Sequence, residues 1–298
     1  MKLGVIGCGQ IFDHYIDAIK RNHGLELVAI CDIDKLKRSK ARTIGAKFYD
    51  DYKKLIESPV DAVIIATPNF LHADMSIYAL KHGKSVLCEK PMATSINDAE
   101  RMMLTAQKTG MVLKIAYHLR YKPEVQELLK MDYEKIVEVE SYFLENWQNA
   151  SEWYYSKEKC GGGPLIDNGI NTVDIIVQFV GRVRVNKSKL IYGKHEVEDQ
   201  AKIEFEFDGG HGIHTSSWVH EKPVWQTTLI NDSEQRILMD HYTDELYIDN
   251  KLEGRWKDKR YEGVIQAFVN QTRKNILFNH NDFLPFKAIM EAYDISEK

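Results

Sequence analysis

The 298-residue sequence has no long apolar run and no excess of positive charge. Its longest uncharged apolar stretches are the size of a strand, as in Ala62–Pro68, and fall far short of the roughly 20 residues that span a bilayer. The formal net charge of −4 gives no indication of a nucleic-acid footprint or an anionic membrane partner. We therefore expect a protein that binds neither membranes nor nucleic acid.

Cysteine is scarce, and the four cysteines Cys8, Cys31, Cys88 and Cys160 form no CxxC pair. This spacing favours free buried thiols in a reducing compartment over disulfides, and it predicts no bound metal. The apolar stretch at the N-terminus is too short, and too interrupted by glycine, for the hydrophobic region of a secretory signal. We therefore expect a cytoplasmic protein. The sequence does contain 44% hydrophobic residues, which is enough for a sizeable core.

The first 120 residues alternate short apolar runs with helical segments. The apolar runs predict buried strands over 2–7, 25–32, 62–67, 85–88 and 112–117. The segments between them predict helices over 12–21, 35–44, 51–57, 72–82 and 97–109. Such alternation predicts βαβ units and a parallel sheet, which is an α/β fold.

Strand-like segments predominate after residue 120. Lys202–Phe207 alternates charged and apolar residues, as expected for an antiparallel strand with one face in water. Helices are predicted over 168–180 and 263–274, whereas residues 251–260 are predicted to form a solvated turn. We therefore predict two domains, an α/β domain over 1–120 and an α+β domain with a large, mostly antiparallel open sheet over 121–298.

A glycine motif stands between the first predicted strand and the first predicted helix, which is the setting of a dinucleotide-binding turn. Gly7 would permit the tight turn, and Gly9 would let a pyrophosphate approach the backbone at the helix start, beside Gln10 and Ile11. Phe12 stands where a third glycine or an alanine is usual. The motif by itself therefore fits a structural turn as well as a nucleotide site.

Asp32 ends the second predicted strand, 25 residues after Gly7, where an acid hydrogen-bonds the ribose of a Rossmann-bound dinucleotide. Its charge would repel a 2′-phosphate, so we predict NAD as the cofactor. Lys35, Lys37 and Arg38 nearby keep NADP as a second choice. The alternative is an aspartate with only a structural role at a strand end or a helix cap.

Three further segments carry a resemblance to a known family. Glu89-Lys90-Pro91 follows the fourth strand, Ala66-Thr67-Pro68-Asn69 and His72 follow the third, and Gly161–Asp174 begins with a glycine run. In this order, these motifs resemble the glucose–fructose oxidoreductase and myo-inositol dehydrogenase family. The resemblance implies hydride transfer between NAD and a hydroxyl or keto carbon of a sugar, cyclitol or nucleotide sugar. It further implies a homodimer or homotetramer formed through the sheet of the second domain.

The resemblance also implies roles for individual residues. The cofactor contacts would come from Thr67, Pro68, Asn69, His72, Glu89 and Lys90. Lys90 would also be the active-site lysine, and its pKa of about 10.4 would have to fall through burial beside a cationic nicotinamide. Asp167 would be the second active-site group; the alternative is that it only caps the following helix.

Asn171 departs from the family pattern, because enzymes of the family usually have a histidine there that is often assigned to proton transfer. An amide binds a hydroxyl but does not exchange a proton near neutral pH. Lys90 would then act alone while Asn171 positions the substrate, or His118 would supply the proton. The third alternative is a regulatory protein that binds a nucleotide and a ligand without turnover.

Two groups of residues fit a purely structural role as well as a functional one. Arg120 and Tyr121 would either contact substrate or brace a domain interface. The aromatic residues Trp147, Trp153, Tyr154 and Tyr155 precede the glycine run. Aromatic rings suit the apolar faces of sugars, but such a cluster also fits a core or an interface.

Overall fold

The computed structural model describes residues 1–147 and 151–296. They form two compact units. Unit 1 contains Met1–Ala116 and Tyr261–Asn279, and unit 2 contains Tyr117–Arg260 and His280–Lys298.

The regular elements are numbered along the chain. The strands are β1 (Lys2–Ile6), β2 (Glu26–Cys31), β3 (Lys47–Tyr49), β4 (Ala62–Ile65), β5 (Ser85–Glu89), β6 (Leu113–Ala116), β7 (Ile136–Asn146), β8 (Arg184–Tyr192), β9 (Glu198–Phe207), β10 (Gly210–Ser217), β11 (Val219–Asn231), β12 (Arg236–Asp240), β13 (Glu245–Ile248) and β14 (Lys251–Arg255). The helices are α1 (Phe12–Lys20), α2 (Arg38–Ile44), α3 (Tyr52–Ile56), α4 (His72–Lys81), α5 (Ile96–Thr109), α6 (Pro123–Leu128), α7 (Lys157–Cys160), α8 (Ile170–Val180), α9 (Arg260–Arg273) and α10 (Leu284–Ser296).

Unit 1 is built on a six-stranded parallel sheet in the order β3-β2-β1-β4-β5-β6. All four residues of β4 are buried and apolar, because helices cover both faces of such a sheet. The strand order reverses between β1 and β4, which is the switch point where Rossmann sheets bind their ligands. The predicted α/β Rossmann domain is confirmed, although the three-residue β3 was not predicted.

The segment Tyr261–Asn279 belongs to unit 1, which corrects the predicted assignment of all residues after 120 to the second domain. The ring of Tyr261 packs edge-on against Tyr15, with centroids 5.3 Å apart. Gln271 Nε2 donates a 3.1 Å hydrogen bond to the carbonyl of Leu113 on β6. These partners are far apart in sequence, so no local pattern could indicate that α9 returns to the first unit.

Unit 2 is built on an eight-stranded sheet in the order β14-β13-β12-β11-β7-β10-β9-β8. Neighbouring strands are antiparallel except β7 and β10, which confirms the predicted mostly antiparallel sheet. Strand β14 lies within the predicted solvated turn, which is therefore wrong for residues 251–255. Its residues are mostly exposed and polar because it is an edge strand, and this composition resembles that of a turn.

The structure bears on three expectations from composition, which concern the cysteines, membrane-spanning helices and metal sites. All four cysteines are buried and none of them forms a disulfide within residues 1–147 and 151–296, as predicted. Among the described residues, no helix has the length and apolar character needed to cross a membrane. Residues 1–147 and 151–296 also contain no group of three or more His, Cys, Asp or Glu side chains arranged to hold a metal ion.

Candidate active site

The glycine turn lies at the carboxyl end of β1, at the switch point of the sheet. Gly7 has a φ of 97°, and a Cβ added there would lie 2.3 Å from the carbonyl oxygen of Ala66, so only glycine fits. At Gly9, by contrast, a Cβ would meet no described atom within 4 Å. Among the residues that the structure describes, no side chain caps the first turn of α1. The open backbone and the uncapped helix start fit a bound pyrophosphate.

Asp32 supports this turn directly. Its Oδ2 accepts a 2.8 Å hydrogen bond from the backbone N–H of Cys8, and its Oδ1 accepts one of 2.8 Å from Asp34. Asp34, not Asp32, caps the short helical turn that follows. Each carboxylate oxygen has a second lone pair, so the same group can also accept ribose hydroxyls. Asp32 therefore shapes the glycine turn, a role that the sequence reading did not include.

His72 connects the two loops that follow β4 and β5. Its side chain is fully buried, its Nε2 lies 2.8 Å from the carbonyl oxygen of Thr67, and its Nδ1 lies 2.8 Å from that of Pro91. Burial lowers the pKa of His72, while the two carbonyl oxygens act in the opposite direction. Because both ring nitrogens face the backbone, the structure gives His72 a bracing role. Its predicted contact with the cofactor stays a prediction.

Thr67, Pro68 and Asn69 lie in the loop that His72 holds, directly after β4. Thr67 Oγ1 contacts the sulfur of Met75 at 3.7 Å, and Asn69 is buried. The loop is adjacent to the glycine turn, because Ala66 is the residue whose carbonyl faces Gly7. The structure thus brings the predicted cofactor residues that follow β1 and β4 to one edge of the sheet.

Glu89 and Lys90 lie at the end of β5, and Glu89 is nearly fully buried. The hydroxyl of Tyr15 on α1 donates a 2.6 Å hydrogen bond to Glu89 Oε1. Glu89 Oε2 accepts a 3.1 Å hydrogen bond from the backbone N–H of Lys90, and the Lys90–Pro91 peptide is cis. Burial and the neighbouring Glu89 raise the pKa of Tyr15 well above its usual value, so Tyr15 stays a donor. The half-buried Lys90 is therefore fixed through its backbone.

Asp167 lies in unit 2, in a single wide helical turn, Leu165–Gly169, that precedes α8. Its side chain is 6% exposed. The alternative that Asp167 caps the helix is wrong, because α8 begins at Ile170 and its cap residue is Gly169. A residue that lies inside continuous helical backbone does not provide an N-cap.

Glu198 holds the glycine run in front of Asp167. Its carboxylate accepts hydrogen bonds from the backbone N–H groups of Gly163 (2.9 Å) and Leu165 (3.2 Å), and from the hydroxyl of Tyr293 (2.8 Å). A Cβ on Gly163 would lie 1.9 Å from the carbonyl oxygen of Glu198, which explains the glycine there. Burial raises the pKa of Glu198, and these hydrogen bonds oppose the change. Sequence reading missed Glu198, which stands 35 residues from its partner.

Asn171 lies in the first turn of α8 and is 2% exposed. Its amide oxygen is buried and has no hydrogen-bond partner among the described residues. A buried acceptor without a donor is costly, so a hydroxyl of a bound molecule would satisfy this group. The predicted role of Asn171 in binding a substrate hydroxyl stays a prediction.

His118 and Arg120 lie in the helical turn that follows β6. His118 is half-buried at the start of a helical turn, His118–Tyr121. The guanidinium of Arg120 binds two fully buried carboxylates, Asp174 through Nε at 2.9 Å and Asp282 through Nη1 at 2.8 Å. Arg120 thus braces unit 2 internally, which is neither the predicted contact with substrate nor the predicted bracing of a domain interface.

Comparison with known proteins covers both units. Residues 1–117 match the family model described as an oxidoreductase family with an NAD-binding Rossmann fold, and residues 130–237 match the GFO/IDH/MocA C-terminal domain. D-glucoside 3-dehydrogenase of Escherichia coli strain K12 is 27% identical over 315 aligned residues, covering 92% of this chain and 88% of the relative. An NADP+-dependent scyllo-inositol 2-dehydrogenase of Bacillus subtilis strain 168 is 23% identical, covering 89% and 82%.

The fold also matches solved structures. A levoglucosan dehydrogenase in complex with NADH and levoglucosan superposes with a TM-score of 0.86 over 100% of this chain and 97% of the other, at 18% identity. The strand order of unit 1, the open turn at Gly9 and the two family models agree with one another. This chain belongs to the glucose–fructose oxidoreductase and myo-inositol dehydrogenase family of oxidoreductases, with an NAD-binding Rossmann domain in unit 1.

Proposed function

We propose that this oxidoreductase transfers a hydride between NAD and a secondary hydroxyl or keto carbon of a sugar, cyclitol or nucleotide sugar. The observation that carries the proposal is the fixed backbone of Glu89 and Lys90 at the carboxyl edge of the NAD-binding sheet. The D-glucoside and scyllo-inositol dehydrogenases among the relatives support this substrate class. The relatives compared are named as dehydrogenases, so they lend no support to a regulatory protein without turnover.

The chain's own residues supply the proton chemistry. Bound NAD provides the group that accepts or donates the hydride. When an alcohol is oxidised, Nζ of Lys90 takes the proton of the substrate hydroxyl, and it returns a proton when a carbonyl is reduced. Asn171 accepts a hydrogen bond from a substrate hydroxyl at its buried amide oxygen. Asp167 accepts a second one and fixes the orientation of the ring.

The test is formation of reduced nicotinamide, followed by absorbance, with a panel of sugars, cyclitols and nucleotide sugars. We expect Lys90→Ala to lower kcat by about 100-fold or more, the usual contribution of a positioned acid or base. Lys81→Ala is the control, because Lys81 is an exposed lysine at the end of α4. Equal rates for both variants would remove Lys90 from the mechanism.

His118 is the second candidate for the proton-transfer group, since its imidazole lies in the turn that follows β6. The two assignments differ in the pH dependence of the rate. If Lys90 acts alone, His118→Asn keeps the wild-type pH profile of kcat/KM. If His118 acts, that variant loses the limb of the profile that reports the imidazole.

We infer that NAD is preferred over NADP. The carboxylate of Asp32 faces the glycine turn and would repel a 2′-phosphate. Ile33 and Leu36, which sequence reading missed, are 91% and 82% exposed, and they offer an apolar surface to the adenine. The ratio of the Kd values for NAD+ and NADP+ tests this preference, and Asp32→Ser should reduce it.

We further propose a homo-oligomer formed through the eight-stranded sheet. On the face of the sheet opposite Val139 and Phe143, Tyr142, Leu144 and Ile213 are only part-buried. Part-exposed apolar groups on an open sheet favour burial against a second copy. Light scattering on the wild type and on Ile213→Asp tests this. The free buried cysteines likewise support a cytoplasmic location, which cell fractionation would test.

A further inference from the structure

Unit 2 contains a cavity of about 320 Å³ that none of the roles assigned above uses. We call it the aromatic cavity. Its lining residues are Trp147, Tyr155, Lys194, His195, Asp199, Trp218 and Val219. Small-molecule sites have volumes of about 300 to 1,000 Å³, so this one has room for a single substituted ring.

The aromatic walls of the cavity are held in place by their own contacts. The rings of Tyr155 and His195 stack at 3.9 Å with an angle of 14° between their planes. Tyr155 also meets Trp218 edge-on at 6.2 Å, and its hydroxyl donates a 2.8 Å hydrogen bond to the carbonyl of Trp147. A wall fixed in this way loses little conformational entropy when a flat or ring-shaped ligand packs against it.

Two of the residues that line the cavity carry a buried hydrogen-bond donor without an acceptor in the part of the chain that the structure describes. The indole N–H groups of Trp147 and Trp218 are buried, and neither has a partner among the described residues. Trp218 as a whole is only 2% exposed. A buried donor without an acceptor is unfavourable, so a purely apolar ligand would leave both groups unsatisfied.

The charged residues of the lining restrict the chemical class of the ligand further. Asp199 can only accept hydrogen bonds, whereas Lys194 and the two indoles can only donate them. A phosphate or carboxylate would suit the donors but would be repelled by Asp199. A hydroxyl group both donates and accepts, and a pyranose ring offers several hydroxyls together with apolar C–H faces for aromatic rings. The lining is therefore suited to a polyhydroxylated ring.

The aromatic cavity is connected to the turn that carries Asp167. Asp199 directly follows Glu198, whose carboxylate holds the backbone of Gly163 and Leu165. The N–H of Asp167 in turn donates a 3.1 Å hydrogen bond to the carbonyl of Gly163. Asp199, which lines the cavity, is thus next in sequence to the residue whose side chain holds the Asp167 turn.

We propose that the aromatic cavity binds a second saccharide ring, attached to the ring that is oxidised. This rests on the proposed function for the identity of the substrate. The inference makes the preferred substrate a glycoside with two rings instead of a free monosaccharide.

Calorimetric titration of the NADH-loaded protein tests the proposal without turnover, because NADH cannot accept a hydride from the sugar. The probes are glucose and three glucosyl disaccharides with different linkages, namely maltose, cellobiose and trehalose. We expect at least one disaccharide to bind about tenfold more tightly than glucose, the effect of one or two added hydrogen bonds. Equal affinities for all four sugars, or no binding of any of them, would overturn the proposal.

Two variants test whether the preference for a disaccharide arises in the aromatic cavity. Trp218→Phe keeps the aromatic body and removes the N–H, and Asp199→Asn removes the charge from a residue that is only half-buried. Both should abolish the preference for the disaccharide. Trp225→Phe is the matched control, because Trp225 also has a buried indole N–H without a described partner but stacks on Phe143 outside the cavity lining. If Trp218→Phe does not fold, as judged by thermal melting, Asp199→Asn decides the question.

The two proposals fail in different ways. If the aromatic cavity binds no sugar, Lys90-dependent formation of reduced nicotinamide with a single-ring substrate is unaffected. If the proposed dehydrogenase activity is wrong, no probe is oxidised, yet the calorimetric preference for a disaccharide and its loss in Trp218→Phe persist.

Discussion

The hydroxyl of Tyr15 lies 2.6 Å from Oε1 of Glu89, although 74 positions separate the two residues in the sequence. Tyr15 belongs to the helix that follows the glycine turn, and Glu89 directly precedes Lys90, the proposed active-site lysine. The hydrogen bond therefore links the helix that starts at the glycine turn to the backbone that precedes Lys90. His72 fixes the same loop from the other side through the carbonyl of Pro91.

Removal of the Tyr15 hydroxyl should lower activity through this link. Tyr15→Phe leaves a buried carboxylate with one donor fewer, which costs about 1.5–3 kcal/mol for a hydrogen bond to a charged group. We expect kcat to fall about tenfold with a smaller change in KM, because the lysine is misplaced while the substrate groups of unit 2 are intact. The control is Tyr78→Phe, which removes a similar tyrosine–glutamate hydrogen bond, to Glu57, at the surface. Equal losses in both variants would contradict the link.

The two glycines of the turn should respond differently to alanine. Gly7→Ala places a Cβ against the carbonyl of Ala66 at a positive φ, so we expect a loss of stability of about 1–3 kcal/mol. Gly9→Ala meets open space, so its melting temperature should stay close to wild type. Its Kd for NAD+ should nevertheless rise about tenfold or more, because the methyl group occupies the path of the pyrophosphate. Thermal melting and calorimetric titration with NAD+ separate the two effects, and an unchanged Kd in Gly9→Ala would refute the assigned site.

Arg120 should be essential for the stability of unit 2. Arg120→Ala removes the guanidinium that binds the fully buried carboxylates of Asp174 and Asp282, and the loss of one partner of a buried ion pair costs about 3–5 kcal/mol. Because Asp174 lies on α8 with Asn171, substrate binding should weaken as well. Arg184→Ala, which breaks an exposed ion pair with Glu206, is the control and should melt close to wild type. Similar melting curves for the two variants would contradict the bracing role.

His214 should make the protein less stable in acid. It is fully buried on β10 against Ser141, and burial lowers its pKa from 6.5 to about 3. Between these values the unfolded chain binds a proton that the folded chain does not. The stability contribution is therefore complete above pH 6.5 and is lost as the pH falls toward 3, by up to about 1.4 kcal/mol per pH unit.

Denaturant titrations at several pH values measure this effect. His214→Gln should be less stable at neutral pH, since the site fits an imidazole, but its free energy of unfolding should fall less steeply below pH 6.5. His211→Gln is the control on the same strand, at an exposed position. A His214 variant with the wild-type slope would show that another group dominates the acid sensitivity.

Local sequence patterns predicted the elements of unit 1 because parallel strands covered on both faces are short, apolar runs. The all-apolar β4 and the glycine turn after β1 are examples. The same patterns failed for β14, because an exposed edge strand needs no apolar residues. They also failed for α9, whose partners Tyr15 and Leu113 are more than a hundred residues away in the sequence.

The sequence by itself determined the fold class, the NAD-binding turn and the order of the motifs that carry Lys90, Asp167 and Asn171. The fold class, the turn and the motifs depend on residues close together in the chain, so the spacing of apolar residues and glycines was enough to predict them. Only the tertiary structure decided how those residues are held. The pairing of Tyr15 with Glu89, the support of the Asp167 turn by Glu198 and the engagement of Arg120 by Asp174 each join distant segments. Burial and hydrogen-bond geometry select such partners, and neither is encoded in a local pattern.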